Sequence, residues 1–294
     1  MTEPIFDTVA IVGLGLIGSS VARGLKARGL ARRVIGYDSS TQVDARAKEL
    51  GFCDRVANTP AEAVKDAELV LIAVPVGATA DAVKSIAPHL REGAILTEVG
   101  SVKAAVIRQV LAVLPQGAAF VPGHPIAGTE HSGPDAGFAE LFDGRWTILT
   151  PCERSSEAAV EKVAALWRGL GSAVETMTPE HHDIVLAITS HIPHLIAFNI
   201  VGTAADVEEV TQSEVIKFSA GGFRDFTRIA ASDPVMWRDI FLSNREAVLE
   251  LLQRFSEDLT ALQRAIRRGD GETLYTWFDR TRAIRRSIIE AKQA

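Results

Sequence analysis

The chain has 294 residues, of which 47% are apolar and 23% charged, and a formal charge of −6. That length predicts two domains, and the composition excludes long disorder, collagen-like repeats and a coiled-coil rod. The charge divides as −3 over residues 1–178 and −3 over residues 179–294, so neither half has the basic balance of a nucleic-acid binder. Cys53 and Cys152 are too few for a disulfide framework or a cysteine zinc site. Glu3, Pro4 and Asp7 stand where a signal peptide needs a basic start and an apolar run, so a cytoplasmic location is expected.

From the N-terminus, short β-branched runs alternate with longer amphipathic stretches. Strands are predicted at Thr8–Val12, Val34–Tyr37, Leu69–Val74, Ala94–Thr97, Ala119–Val121 and Trp146–Thr150. Helices are predicted at Ser19–Arg28, Ala80–His89 and Ala104–Leu114, each long enough to return the chain parallel. The first half therefore reads as an α/β, doubly wound, mostly parallel sheet of Rossmann type. After Ala173–Met177 the period changes, and Thr178-Pro179-Glu180 has the form of a helix start. Residues 1–178 are accordingly expected to form a dinucleotide-binding domain, and residues 179–294 an all-α domain.

The apolar stretch from Ile184 to Ala205 contains His191, Pro193, His194 and Asn199. A bilayer span would bury those polar groups without water, so a buried helix is expected and no membrane association. Phe241, Val248, Leu252, Phe255, Leu259 and Leu262 trace one helical stripe. A glycine-rich interruption at Ala220–Phe223 and a turn at Gly269-Asp270-Gly271 punctuate this half.

The first predicted strand runs into Gly13-Leu14-Gly15-Leu16-Ile17-Gly18, and a helical pattern follows. In that context the first glycine serves a tight turn. The second lets backbone N–H groups approach a pyrophosphate, and the third lets the helix pack on the strand. Gly13, Gly15, Gly18 and the backbone of Leu16 and Ile17 are thus the candidate phosphate contacts. Asp38 stands twenty residues past the last glycine, placed to accept from ribose hydroxyls. Its carboxylate would repel a 2′-phosphate, which favours NAD over NADP. Arg32, Arg33 and Ser39-Ser40-Thr41 are the residues that could offset this, unless they are surface charge and a helix cap.

Two loops are expected at the carboxyl ends of the strands, beside the nicotinamide. One carries Ser101 within Glu98–Lys103. The other carries His124 between prolines and glycines, within Pro122–Glu130. An imidazole there suits the removal of a proton from an alcohol being oxidised. In the second half, Ser190-His191-Ile192-Pro193-His194 puts a proline inside a helical pattern, marking a kink or a site. His181 and His182 lie nearby, but no carboxylate has a zincin-type spacing, so polar contact with substrate is expected rather than metal. Gly221–Arg228 combines flexible backbone with Arg224 and Arg228, which suits an anionic substrate as well as it suits a surface ion pair.

Taken together, GLGLIGSS at 13–20, VGSVK at 99–103, GHPIAGTEHSG at 123–133, SHIPH at 190–194, GGFRDFTRIA at 221–230 and DPVMWRDI at 233–240 resemble the TyrA family. These are the prephenate, arogenate and cyclohexadienyl dehydrogenases of tyrosine biosynthesis, and the resemblance covers nearly the whole chain. It implies NAD-dependent oxidative decarboxylation of a cyclohexadienyl substrate, and a homodimer formed through the helical domain. It also implies roles for particular residues. His124 matches the catalytic histidine, and Ser101 a serine that orients it and touches the nicotinamide. Arg228 matches an arginine on a substrate carboxylate. Thr129, Glu130, His182, Ser190, His194 and Gly221 match pocket positions. Asp225 matches an ionic-network partner, and Trp237 a tryptophan reaching the site from the other subunit. The rival readings are a β-hydroxyacid-type dehydrogenase, for which Lys217 is the only suitably placed acid/base lysine and lacks the accompanying asparagine, and a catalytically silent NAD-binding scaffold.

Overall fold

The computed structural model describes residues 3–129, 131–211 and 220–290. They fall into two compact units, Met1–Arg245 and Glu246–Ala294. Lys217 and Glu130 lie outside the described residues.

The first unit is built on an eight-stranded sheet: β1 Phe6–Val12, β2 Ala31–Tyr37, β3 Arg55–Val56, β4 Leu69–Ile72, β5 Ile95–Glu98, β6 Ala119–Pro125, β7 Trp146–Leu149 and β8 Ala173–Thr176. Their spatial order is β3-β2-β1-β4-β5-β6-β7-β8, parallel throughout except where β6 meets β7. The helices α1 Leu16–Arg28, α2 Thr41–Leu50, α3 Pro60–Val64, α4 Thr79–Ile86, α5 Ala104–Leu111 and α6 Glu157–Gly169 connect these strands. Covered on both faces, β4 reads as an unbroken buried run, Leu-Val-Leu-Ile. One core, including Val9, Ile11, Leu71 and Trp167, lies on one face; the other, including Ala10, Val70, Ile72, Val106 and Phe120, lies on the opposite face. The order of strands reverses between β1 and β4, which creates the crevice where such sheets take ligands.

The structure departs from the sequence-based expectations in several places. The predicted strand Leu69–Val74 stops at Ile72. The edge strand β3 has two residues, too few to carry a period. His124, expected in a loop, lies in β6, opposite Ile148 of the antiparallel β7. Prolines are tolerated there because their carbonyls still pair: Thr150 N–H donates to the Pro122 carbonyl at 3.0 Å.

Beyond β8 the described chain is helical: α7 Pro179–Leu186, a π-helical turn Ala187–His191, α8 Ile192–Thr211, α9 Gly221–Thr227, a 3₁₀ turn Arg228–Ala231, α10 Pro234–Ser243, α11 Arg245–Arg268 and α12 Gly271–Glu290. Thr178 caps α7 by accepting from the His181 N–H at 3.2 Å, with Pro179 at the first helical position. The π turn widens the helix just ahead of Pro193, which has no N–H to continue the regular ladder. Residues Pro179–Asp206 are apolar and long enough to span a bilayer by composition. The expectation of a buried helix is met on one face only: Leu186, Ala187, Ile192 and Ala197 are buried, whereas Ile184 and Ile188 are 48% and 49% exposed. The predicted stripe from Phe241 to Leu262 is likewise divided, because α10 ends at Asn244 before α11 begins. The glycine-rich Ala220–Phe223 opens α9 rather than forming a loop.

Candidate active site

The cofactor cradle begins where β1 ends. Gly13 has φ +97°, and a Cβ there would collide with the Ala73 carbonyl. A Cβ on Gly18 would strike the Gly13 carbonyl, so the helix lies directly on the turn. Gly15, by contrast, faces open space and caps α1 without any side-chain hydrogen bond. The N–H groups of the first turn of α1, at Leu16 and Ile17, thus meet a bare opening suited to a pyrophosphate. The second glycine supplies the room that the bound group needs, and the residues present fit a dinucleotide.

Asp38 follows β2 and is held by the motif itself: Oδ2 accepts from the Leu14 N–H at 2.8 Å and Oδ1 from the Ser40 N–H at 2.9 Å. Three of the groups that could have welcomed a 2′-phosphate are engaged elsewhere. Arg33 lies 3.0 Å and Arg32 3.8 Å from the carboxylate of Asp7, and the Ser40 hydroxyl caps α2.

The chemistry-bearing groups meet at the carboxyl end of β6. His124 Nδ1 lies 2.8 Å from His182 Nε2, and His182 Nδ1 lies 2.9 Å from Asp183 Oδ1. A carboxylate only accepts, so His182 donates from Nδ1; its Nε2 then accepts from His124 Nδ1–H, leaving the lone pair of His124 on Nε2. His124 is held well below the usual histidine range, first by burial and then by the neighbouring His182, Lys103 and His191 charges. It is therefore a neutral imidazole at neutral pH, able to take a proton.

Beneath this histidine lies a feature that no motif announced. Lys103 and Glu98 form a fully buried ion pair, and Lys103 Nζ also donates to the Gly123 carbonyl at 2.7 Å. Glu98 Oε2 accepts from the Gly100 N–H at 2.7 Å. Burial raises the Glu98 pKa and lowers that of Lys103, with each partner opposing the shift of the other. The pair pins the turn that carries Ser101 to the residue preceding His124. Asp183 joins it, its carboxylate receiving the N–H of Lys103 at 2.8 Å and of Ala104 at 2.9 Å at the start of α5. The only sequence signals for these residues were a lysine inside VGSVK and an aspartate next to His182.

His194 and Trp237 stack with ring centroids 3.7 Å apart, while His194 Nδ1–H donates to the Ser190 carbonyl at 2.8 Å. Burial lowers the His194 pKa; the Ser190 bond opposes this, and the Arg228 charge adds to it. Arg228 opens a turn packed against α8, the helix that carries His194. His191 links the two groups of residues: its ring lies 6.1 Å from Trp237, and its Nδ1 is 3.1 Å from the Asn244 amide, which also donates to the Asp183 carbonyl at 2.8 Å.

One expectation is corrected. His182 is fully buried with both ring nitrogens engaged, so it lies behind His124 rather than lining a substrate pocket. Trp237 is buried against its own chain, stacked on His194. The reason is packing: Trp237 and Ile240 of α10 join the core of the first unit, and Gly77, lacking a side chain, lets Asp239 come against the backbone there. Thr129 is exposed and its hydroxyl accepts from the His131 N–H at 3.2 Å; Glu130 lies outside the described residues. Gly221 and Asp225 are exposed on α9, which packs on α8.

Residues 21–176 match the model of the prephenate dehydrogenase nucleotide-binding domain, and residues 178–280 that of the prephenate dehydrogenase dimerization domain. The chain belongs to the prephenate dehydrogenase family. It is 43% identical over 284 residues to a cyclohexadienyl dehydrogenase of Zymomonas mobilis, covering 97% of each chain. Its fold matches prephenate dehydrogenase from A. aeolicus in complex with hydroxyphenyl propionate and NAD+, with TM-score 0.90 and 36% identity over 96% of this chain and 98% of that one. Synechocystis arogenate dehydrogenase matches with TM-score 0.80 and 26% identity, over 95% and 98% of the two chains.

Proposed function

We propose that this chain catalyses the NAD-dependent oxidative decarboxylation of prephenate, arogenate or both, forming 4-hydroxyphenylpyruvate or tyrosine, with His124 as general base. The observation that carries this reading is the hydrogen-bonded line Asp183–His182–His124, which leaves a basic nitrogen at the carboxyl end of β6. NAD, when bound, supplies the hydride acceptor. His124 Nε2 takes the proton of the ring hydroxyl as hydride leaves the carbon bearing it. The ring carboxylate departs as CO₂, its bonding electrons complete the aromatic ring, and the ring oxygen takes back the proton held by His124 to give the phenol. Aromatisation supplies the driving force, so the protein's main task is alignment.

Arg228 holds a substrate carboxylate, with His194 beside it and Ser190 fixing the His194 ring. Trp237 walls this region by stacking on His194. Ser101, on the turn braced by Glu98, orients the hydroxyl end and the nicotinamide. Thr129, Glu130, Gly221 and Asp225 complete the substrate side. Gly13, Gly15, Leu16, Ile17, Gly18 and Asp38 hold the dinucleotide, within a binding domain of residues 1–178. Residues 179–294 form the substrate and dimerisation domain of a cytoplasmic homodimer. NADH formation should be measured with prephenate and arogenate side by side, and repeated with NADP. Turnover with at least one substrate, and preference for NAD, are expected; no reduction with either substrate would overturn the assignment.

A further inference from the structure

We propose that Asp183 is the positioning residue of this active site: through one carboxylate it fixes the tautomer of His124 and ties the Ser101 turn to the same anchor. The inference rests on the reading of His124 as the base. Asp183 is buried, and its carboxylate accepts from the N–H groups of Lys103 and Ala104 and from the Nδ1–H of His182. The first two cap α5, the helix that begins just after Ser101. That helix has no cap of its own, since Lys103 occupies the capping position without a side-chain bond, so a carboxylate eighty residues away replaces it. The third contact sets the direction of every proton in the line. With Asp183 ionised, its charge favoured by the bonds from His182 and the two amides against burial, His182 must carry its proton on Nδ1. His124 must then carry its own on Nδ1, and the lone pair stands on Nε2. Asn244 holds the strand of contacts from the other side by donating to the Asp183 carbonyl.

A capping role alone would need only an acceptor, whereas the tautomer role needs a group that cannot donate. Asp183→Asn separates the two. The amide oxygen can still cap α5 through the Ala104 N–H, while its NH₂ stands where Oδ1 accepts from Lys103 and His182, and there it can reverse both imidazoles, placing a proton on His124 Nε2 where the base is required. We expect kcat to fall about 10²-fold or more with KM and NAD affinity nearly unchanged. Should that variant fail to fold, His182→Leu leaves the cap of α5 untouched and should lower kcat to a similar degree. His182→Gln should recover most of the loss, because its amide can donate to Asp183 and its oxygen can accept from His124.

The direct readout is the ¹⁵N spectrum of histidine-labelled native protein without substrate, assigned by His124→Asn and His182→Gln. An unprotonated Nε2 on His124 is expected. A protonated Nε2 in the native protein, or equal kcat for the Leu and Gln variants, would overturn the proposal. Absence of NADH formation by the native enzyme would instead sink the assigned reaction, and the ¹⁵N measurement stands apart from that.

Discussion

In the proposed reaction His124 removes the proton and Arg228 anchors the substrate, so their variants should fail differently. His124→Asn should lower kcat by roughly 10²–10⁴-fold with a modest change in KM, while Arg228→Gln should chiefly raise KM; steady-state kinetics with prephenate and arogenate distinguish the two. At the cofactor end, Asp38→Asn keeps an acceptor for the Leu14 N–H but removes the charge facing a 2′-phosphate. The ratio of kcat/KM for NADP over NAD should rise by about tenfold or more, a shift worth about 1.4 kcal/mol. His191 offers a stability test. Burial lowers its pKa to about 4, so below the ordinary histidine value the unfolded chain binds a proton that the folded chain refuses. Stability is therefore lost as pH falls through this window, by about 2 kcal/mol from this group between pH 6.5 and 5. Urea unfolding at the two pH values should show a smaller loss for His191→Gln than for the native protein.

Among the elements, α7 does most to join the two halves of the site, since it presents His182 to His124 and Asp183 to α5. Its start was legible because the cap and the proline are local signals: Thr178→Ala removes one acceptor and should cost about 1 kcal/mol, seen as a lower thermal midpoint with kcat little changed. The glycine turn was legible because its spacing is local and Gly18 answers to the Gly13 carbonyl, although Gly13 itself answers to Ala73 of a distant strand end. The strand holding His124 was legible only as far as Val121, and its continuation to Pro125 was not. Pro122 and Pro125 argue locally against β structure, and only the antiparallel arrival of β7 makes an extended partner for them. The division of the helical stripe at Asn244 was hidden too, because the bond that pulls Asn244 toward Asp183 crosses sixty-one positions.

For the molecule as a whole, the helical domain leaves apolar side chains of the family's dimerization region uncovered, among them Ile184, Ile188, Ile200 and Val201. Burial against a second copy is the assembly we propose for them, and Ile188→Glu combined with Val201→Glu should convert a dimer to a monomer in sedimentation velocity. Read as a string, the residues were enough to establish a dinucleotide fold, its cofactor and the reaction family, because glycine turns, periodicity and motif order are written in neighbouring positions. Folding alone made the buried Glu98–Lys103 pair, the Asp183 anchor and the placing of Trp237 within its own chain. Those depend on which distant groups share one desolvated space, and a low-dielectric interior sets partners by proximity in three dimensions, which order along the chain does not encode.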